Sequence, residues 1–293
     1  MDRPITQSFE IPESLTATSN SGFRLADEYT ASFSCFPFTV PEKCTCHLDT
    51  ASIPYSVPNV AAAGVLPRIA NGNDRITISY NGAAFTDYTV DQGLYSYEDM
   101  QYALNTIAVN AGWILPGSVL FTLVGIQASQ KIQIVIDPTA FIGGAAPAGG
   151  WSFKFENPGA LGNNNSMGDL LGFGTGATVY SIPGASTTVQ SWTGTTAADF
   201  ATVTSYQMYC DLVSGSYING RTGQILYSFP LGSTAPNSVI AWQSTLKFPV
   251  PATSGKISQV NIWFTDNSGY KIPLTLFQGN ISINMVISQP GKF

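Results

Sequence analysis

The chain has 293 residues, 44% of them hydrophobic and 12% aromatic, yet only 10% are charged and the formal net charge is −6. That length and apolar content supply a core for one large β domain or two smaller ones, and charge this far below the roughly 25% of an average globular protein implies that much of the surface faces other protein subunits. Twelve Lys and Arg stand against eighteen Asp and Glu, with only Arg3 and Arg24 among the first 30 residues, which excludes the basic arm that would bind nucleic acid directly by displacing counterions.

The start, Met1-Asp2-Arg3-Pro4, is not followed by the apolar run of a signal peptide. No stretch approaches the roughly 18 to 20 apolar residues of a membrane span. A soluble protein made in the cytosol is expected. Cys35, Cys44, Cys46 and Cys210 are too few for a disulfide scaffold in a chain this long, so free, mostly buried thiols are expected.

Alternation with period two dominates the chain. It begins with Ile76, Ile78 and Tyr80. Then comes one helical segment: Ser96 is placed to cap it, Glu98 and Asp99 sit in the first turn at the positive end of the dipole, and Met100, Ala103, Leu104 and Ile107 follow helical spacing up to Gly112. This predicts a helix from Tyr97 to Val109. The two-residue rhythm resumes in Ile132 to Ile136 and in Trp151-Ser152-Phe153-Lys154-Phe155. From Thr139 to Thr202 the chain is rich in Gly, Ala, Asn, Ser and Thr, broken by the Trp151 strand and by Leu170-Leu171-Gly172-Phe173, and is expected to be a loop-rich insertion. Alternation returns in Tyr206, Met208, Cys210 and Leu212, in Ile225, Tyr227 and Phe229, in Val260, Ile262 and Phe264, and in Ile281, Ile283, Met285 and Ile287. Short alternating runs between Gly, Pro and Asn turns describe half-buried strands of a sandwich or barrel.

Few residue groups could support chemistry. The one histidine, His47, lies near Cys44, Cys46 and Asp49. On a regular strand, however, the two Cys face one side and His47 and Asp49 the other, so the ligands of a tetrahedral metal site do not converge. Core thiols and an exposed His47 are the simpler expectation. Gly172-Phe173-Gly174-Thr175-Gly176 has the glycines of a phosphate loop, but β-prone Ala177-Thr178-Val179-Tyr180 follows where a helix should open. Asp87, Asp91, Glu98 and Asp99 form the densest acidic cluster, without the spacing of a Ca²⁺ loop. Asp266-Asn267-Ser268-Gly269 is a turn between strands. Asn164-Asn165-Ser166 and Asn280-Ile281-Ser282 are glycosylation sequons by pattern only. Trp151, Trp192, Trp242 and Trp263 could stack on sugars in a receptor-binding role, but filling a core or a subunit interface is the expected role. No residue is assigned to catalysis, to a cofactor or to a metal.

Five segments taken together carry a family resemblance. They are Ser52-Ile53-Pro54-Tyr55-Ser56-Val57-Pro58-Asn59-Val60; Ile76-Thr77-Ile78 with Gly93-Leu94-Tyr95-Ser96 and a helix to about Asn105; Leu170-Leu171-Gly172-Phe173; Tyr209 to Val213 with Tyr217-Ile218-Asn219-Gly220 and Ile225 to Pro230; and Ile262-Trp263-Phe264-Thr265-Asp266-Asn267-Ser268-Gly269 before a last apolar strand. In this order the chain resembles the penton, or minor capsid, proteins of eukaryotic double-jelly-roll DNA viruses: virophages, Polinton-like and adintovirus elements and their larger relatives. The stretch Ile142 to Gly150 departs from that pattern. The resemblance implies a single jelly roll, assembled as a homopentamer at five-fold vertices among major capsid protein trimers, with a fibre or turret as a further partner.

The combined expectation is an all-β, non-enzymatic virion protein. Its single jelly-roll domain spans 1–293, with a loop-rich insertion at about 139–202 and one principal helix at about 97–109. It would be made in the host cytoplasm and would use no cofactor. A receptor-binding spike or fibre head is the alternative, and a carbohydrate-active enzyme on the same scaffold a more distant one.

Overall fold

The computed structural model describes residues 5–11, 23–66, 69, 72–155, 167–174, 178–200, 203–218, 221–232, 234, 237–243 and 249–288, and of 5–11, 23–26, 35, 36, 217, 218, 221 and 222 the backbone alone. The Cys35 thiol, the side chains of Arg3 and Arg24, the Asn164 sequon, Thr175 to Ala177, and Asn219 and Gly220 therefore lie outside the described residues.

The chain forms two compact units, one of Met1–Val57 with Val203–Phe293 and one of Pro58–Thr202. The first unit begins with β1 (Ile5–Ile11), β2 (Phe23–Asp27), β3 (Thr30–Val40) and β4 (Thr45–Pro54). The second holds β5 (Arg75–Tyr80), β6 (Thr86–Thr89), α1 (Tyr97–Asn110), β7 (Phe121–Ile126), β8 (Lys131–Ile136), β9 (Trp151–Lys154), α2 (Met167–Leu171), β10 (Tyr180–Ile182) and β11 (Gln190–Thr193). The first unit resumes with β12 (Ser205–Cys210), β13 (Ser216–Ile218), β14 (Arg221–Gly223), β15 (Ile225–Pro230), β16 (Val239–Gln243), β17 (Val250–Pro251), β18 (Gly255–Thr265) and β19 (Ile281–Ser288).

The first unit is a jelly roll. One sheet runs β1-β19-β4-β16, with β17 also on β4, and the other runs β2-β3-β18-β12-β15, all antiparallel. With β2, β17 and the β13–β14 hairpin set aside, the remaining strands, numbered along the chain, lie in the orders 1-8-3-6 and 2-7-4-5. First pairs with last, second with second-to-last, and successive strands mostly cross between sheets, which is jelly-roll order. The alternation read from the sequence explains which face turns inward. Tyr206, Met208 and Cys210 of β12, Val260, Ile262 and Phe264 of β18, and Ile283 and Met285 of β19 are fully buried between the sheets. Each large apolar side chain buried this way contributes about 1.5–3 kcal/mol of transfer free energy.

The β4 strand departs from simple alternation. Met285 pairs with Leu48 and Asn284 with Thr50, so Asp49 is the extra residue of a β-bulge. The bulge resets the phase: Cys44, Cys46 and Leu48 point inward before it, Ala51 and Ile53 after it.

The second unit has its own core. Its sheets are β10-β9-β5-β6 and β11-β8-β7. Trp151, Phe153 and Phe155, from the stretch expected to be loop-rich, share one cluster with Ile76, Leu104, Phe121 and Ile134. Trp151 lies 5.6 Å from Phe121 and 5.5 Å from Phe153 between ring centroids. The 139–202 stretch is thus part of a larger packed unit beginning at Pro58. Its many glycines misled because several serve close packing: a Cβ on Gly184 would collide with the Ala148 carbonyl, and one on Gly168 with the Gly174 carbonyl.

The helix α1 matches its expected span within one residue. Ser96 and Asp99 form a reciprocal capping box, Met100, Leu104 and Ala108 are its buried stripe, and Gly112 at φ +73° follows the Ala111 cap. Its polar side chains close a sheet edge. Leu120 and Phe121 N–H donate to Asn105 Oδ1 at 2.8 and 3.0 Å, Asn105 Nδ2 donates to Phe121 O at 2.8 Å, and Leu123 N–H donates to Gln101 Oε1 at 2.8 Å. The helix thereby occupies hydrogen-bonding positions that a further strand beside β7 would use. Asn59 works the same way: Tyr95 N–H donates to its Oδ1 at 2.8 Å, and its Nδ2 donates to Tyr95 O at 2.8 Å and Phe200 O at 2.9 Å.

Candidate functional site

The inward alternation of β12 and β18 leaves a second set of side chains on the outer face of their sheet: Gln207 and Tyr209 from β12, and Gln259, Asn261 and Trp263 from β18. The register sets Trp263 beside both Tyr209 and Thr30, and Asn261 beside Ser32. The Tyr209 and Trp263 rings stack at 5.3 Å and 17°, and Lys271 Nζ lies 5.5 Å from the Trp263 ring centroid. Trp263 thus has a near-parallel ring and a cation as neighbours.

Next to this clamp lies a polar network. Ser32 Oγ donates to Asn261 Oδ1 at 2.8 Å, Asn261 Nδ2 donates to Asp211 Oδ2 at 2.7 Å, and Asn261 N–H donates to Asp211 Oδ1 at 3.0 Å. Partial burial pushes the Asp211 carboxyl above its ordinary value, and the Asn261 donors offset part of that rise.

The jelly-roll strands carry little charge. Across β1, β3, β4, β12, β15, β16, β18 and β19 the acidic and basic residues are Glu10, Asp49 and Lys256, with His47 the lone imidazole. On the outer face of the other sheet Asn284 Nδ2 donates to Thr50 Oγ1 at 2.7 Å, and Ser282 pairs with Ser52. Hydrogen-bonding side chains predominate on both outer faces, with Asp211 and Lys271 beside the clamp and Glu10 at the register position next to Ser282.

The other groups singled out in the sequence do not converge. Cys44, Cys46 and Cys210 are buried free thiols. Burial pushes Cys46 up to about 12 and raises Cys210 as well. His47, expected exposed, is buried at 1% exposure. It points to the opposite side of β4 from Cys46, and the bulge takes Asp49 out of phase with it. Among the described residues no group of three or more His, Cys, Asp and Glu side chains is placed to hold a metal ion.

The carboxylates of Asp87, Asp99 and Glu98 each have a local role, and at Asp91 the backbone carbonyl is engaged. Asp87 bonds Arg75 at 3.1 Å and Thr77 at 2.7 Å, Asp99 completes the capping box, Tyr95 Oη donates to the Asp91 carbonyl at 2.9 Å, and a hydrogen bond from Tyr97 lowers Glu98. Gly172 and Gly174 follow α2 instead of preceding a helix. Phe173 N–H donates to Gly168 O at 2.7 Å, so this turn satisfies the carbonyl end of a helix, opposite in polarity to an anion cradle.

In the Asp266 turn, Ser268 and Tyr270 N–H donate to Asp266 Oδ1 at 2.8 and 3.0 Å, and Thr265 bridges Lys271. Trp151 is fully buried, Trp192 packs edge-on to Phe153 at 5.4 Å, and Trp242 lies 4.3 Å from Tyr227. The sequence alone did not single out Asp211, Asn261 or Lys271 as neighbours of Trp263. Their proximity depends on strand register, and only Trp263 carried a signal as an aromatic on an alternating strand.

No protein-family model matches the chain, and no curated protein matches it. Among solved structures, the crystal structure of the selenomethionine-labelled mavirus penton protein is similar at 14% sequence identity and a TM-score of 0.44, with 98% of this chain and 99% of that chain covered. At that score the likeness carries no argument, and the jelly roll stands on its strand order. Among the described residues no helix is long and apolar enough to cross a membrane.

Proposed function

We propose that the chain is a structural protein of a virion: a jelly-roll penton, or minor capsid, protein whose copies close the five-fold vertices of an icosahedral capsid. One observation carries this reading. The chain builds a jelly roll whose eight principal strands carry three charged residues, Glu10, Asp49 and Lys256, so covering them with protein desolvates few ions. The ordered sequence resemblance from Ser52 to Ile287 supports the vertex location.

The role is mechanical. Wedge-like sandwiches pack side by side around a five-fold axis and fill the angle that major capsid trimers leave open. Cyclic closure requires unlike faces to meet around the ring. Neighbouring trimers are the second partner, and a fibre or turret on the outer surface a third. The protein is made in the host cytoplasm and ends in the virion, with no catalytic, cofactor or metal site assigned.

Co-expression with the cognate double-jelly-roll major capsid protein tests the reading. Closed shells that retain this chain are expected, with open or vertex-less shells in its absence. Closed shells of unchanged composition without it would contradict the role.

A further inference from the structure

We infer that one end of the second unit is a docking tip for a lipid bilayer of zwitterionic headgroups, built from the loops 81–84, 112–120, 137–150 and 183–189. This goes beyond the vertex reading and does not depend on it, because it concerns a surface of the second unit alone.

Hydrogen bonds tie the four loops together. Ile142 N–H donates to Trp113 O at 2.9 Å beside the Ile114–Phe141 bridge, Ala146 N–H donates to Ser186 O at 2.9 Å, and Ala185 N–H donates to Ala146 O at 3.1 Å. Gly149 N–H donates to Asn81 Oδ1 and Asn81 N–H to Gly150 O, both at 2.8 Å. Phe121 and Gln190 both pair with Ile136, so Val119 and Val189 lie just beyond β7 and β11 at the same end of their sheet. At this end Leu115, Ile142, Val189 and Val119 are exposed at 61%, 56%, 52% and 49%. Single apolar side chains scattered over a surface are ordinary, but several on loops joined in one place mark a contact.

Charge is sorted along the unit. In these loops Asp137 is the one charged residue, and its Oδ1 accepts from Thr139 N–H at 2.9 Å and from Thr139 Oγ1 at 2.7 Å. Charges sit at the other ends of the same elements. Arg75 opens β5, which runs to the Asn81 loop, and Lys131 opens β8, which runs to Asp137. Lys154 closes β9, which starts after Gly150, and Glu98 and Asp99 open α1, which runs to Gly112. The chain also enters and leaves the unit at that charged end: Asn59 Nδ2 donates both to Tyr95 O, just before α1, and to Phe200 O. The 14 residues of α1, about 20 Å of helix, separate it from the tip. Phe85 borders the tip but has Lys154 Nζ 4.4 Å from its ring centroid, and is left out of the surface.

The occupant follows from this sorting. The boundary between headgroups and acyl chains demands apolar side chains, few charges to desolvate, and backbone groups that are already paired. The loop-to-loop bonds pair several of those groups, as do the bonds from Gly144 N–H to Phe141 O at 2.8 Å and from Gly150 N–H to Pro147 O at 2.7 Å. No Lys or Arg stands in the loops and the net charge is −6, so anionic headgroups repel the chain and a zwitterionic surface matches it.

Flotation of the purified full chain with phosphatidylcholine vesicles tests this. Wild type should float with lipid at millimolar concentration, at low and high salt alike, and less well when phosphatidylserine is added. Leu115→Asp and Ile142→Asp should each lower partitioning by about tenfold, with melting temperatures unchanged because both side chains are exposed. Val124→Asp changes an exposed apolar residue further along β7, away from the tip, and should float as wild type does.

Failure of the wild type to float, binding that requires phosphatidylserine or is lost at high salt, indifference to both tip variants, or an equal loss in Val124→Asp would each overturn the inference. A chain that does not float, but whose mass in mass photometry falls on Leu115→Asp, would put a second copy in place of the bilayer and overturn it as well.

Discussion

Asn105 and Phe121 form a two-way pair: Phe121 N–H donates to Asn105 Oδ1 at 3.0 Å, and Asn105 Nδ2 donates to Phe121 O at 2.8 Å. A side-chain amide on α1 thus takes the place of a neighbouring strand at β7, with Leu120 N–H sharing the same acceptor. Asn105→Leu removes the donor and acceptor while leaving three backbone groups behind. Each stranded group costs about 1–3 kcal/mol where water cannot reach it, so a loss of about 2–4 kcal/mol is expected. Urea denaturation measures it, and a loss below about 0.5 kcal/mol would show that water replaces the amide without cost.

Gly184 and Gly125 should respond oppositely to the same change. A Cβ at Gly184 would run into the Ala148 carbonyl, while one at Gly125 meets nothing within 4 Å, and neither glycine has a positive φ. Gly184→Ala should destabilise by about 2 kcal/mol or more, because backbone must move. Gly125→Ala should be neutral or stabilising by up to about 1 kcal/mol through the unfolded chain. Equal midpoints for the two variants would mean that the 139–202 stretch is not packed as described.

The core thiols should be silent in the folded protein. Burial holds Cys46 at about 12 and raises Cys210, so almost no thiolate forms near neutral pH and no reagent reaches it. In a Cys35→Ser background, a thiol-reactive disulfide reagent at pH 8 should label none of Cys44, Cys46 and Cys210 within minutes, and all three after guanidinium unfolding. Rapid labelling of one thiol in the native state would show that the sandwich opens locally there.

Asp211 supplies a pH dependence of defined sign. Its carboxyl is raised above the ordinary 3.8, chiefly by desolvation, so the folded chain holds that proton more tightly than the unfolded chain. Its contribution to stability is full below the unfolded value and is lost as pH rises through the folded one. The stability of wild type minus that of Asp211→Asn, followed by urea denaturation from pH 3 upward, should therefore fall with pH and then level off. The swing is modest because Asp211 is only half-buried. A difference that grows with pH would mean that the Asn261 hydrogen bonds outweigh the desolvation.

The strands with clean alternation were legible in the sequence because one face of each meets a core: Tyr206 to Cys210, Val260 to Phe264 and Ile281 to Ile287 all lie where the pattern put them. The helix from Tyr97 was legible from its cap and stripe. Three features were not. The Asp49 bulge leaves no residue signature, and the burial of His47 on the side of β4 away from Cys46 could not be read from its neighbours in sequence. The strand-like bonding of Asn59 and Asn105 depends on partners 36 and 16 residues away. The core of the second unit was hidden because Gly and Ala look like loop composition, although here they permit close backbone contact. The outer face at Trp263 was half legible: the aromatic could be seen, but not the neighbours that register brings to it.

The most direct test of the vertex role is an icosahedral reconstruction, by electron cryo-microscopy, of particles assembled with this chain. Five copies of the sandwich formed by β1–β4 and β12–β19 are expected in the density around each five-fold axis, resolved well enough to trace Trp263 against Tyr209. Density for the chain only at three-fold or general positions, or as a trimer projecting from the shell, would contradict the account.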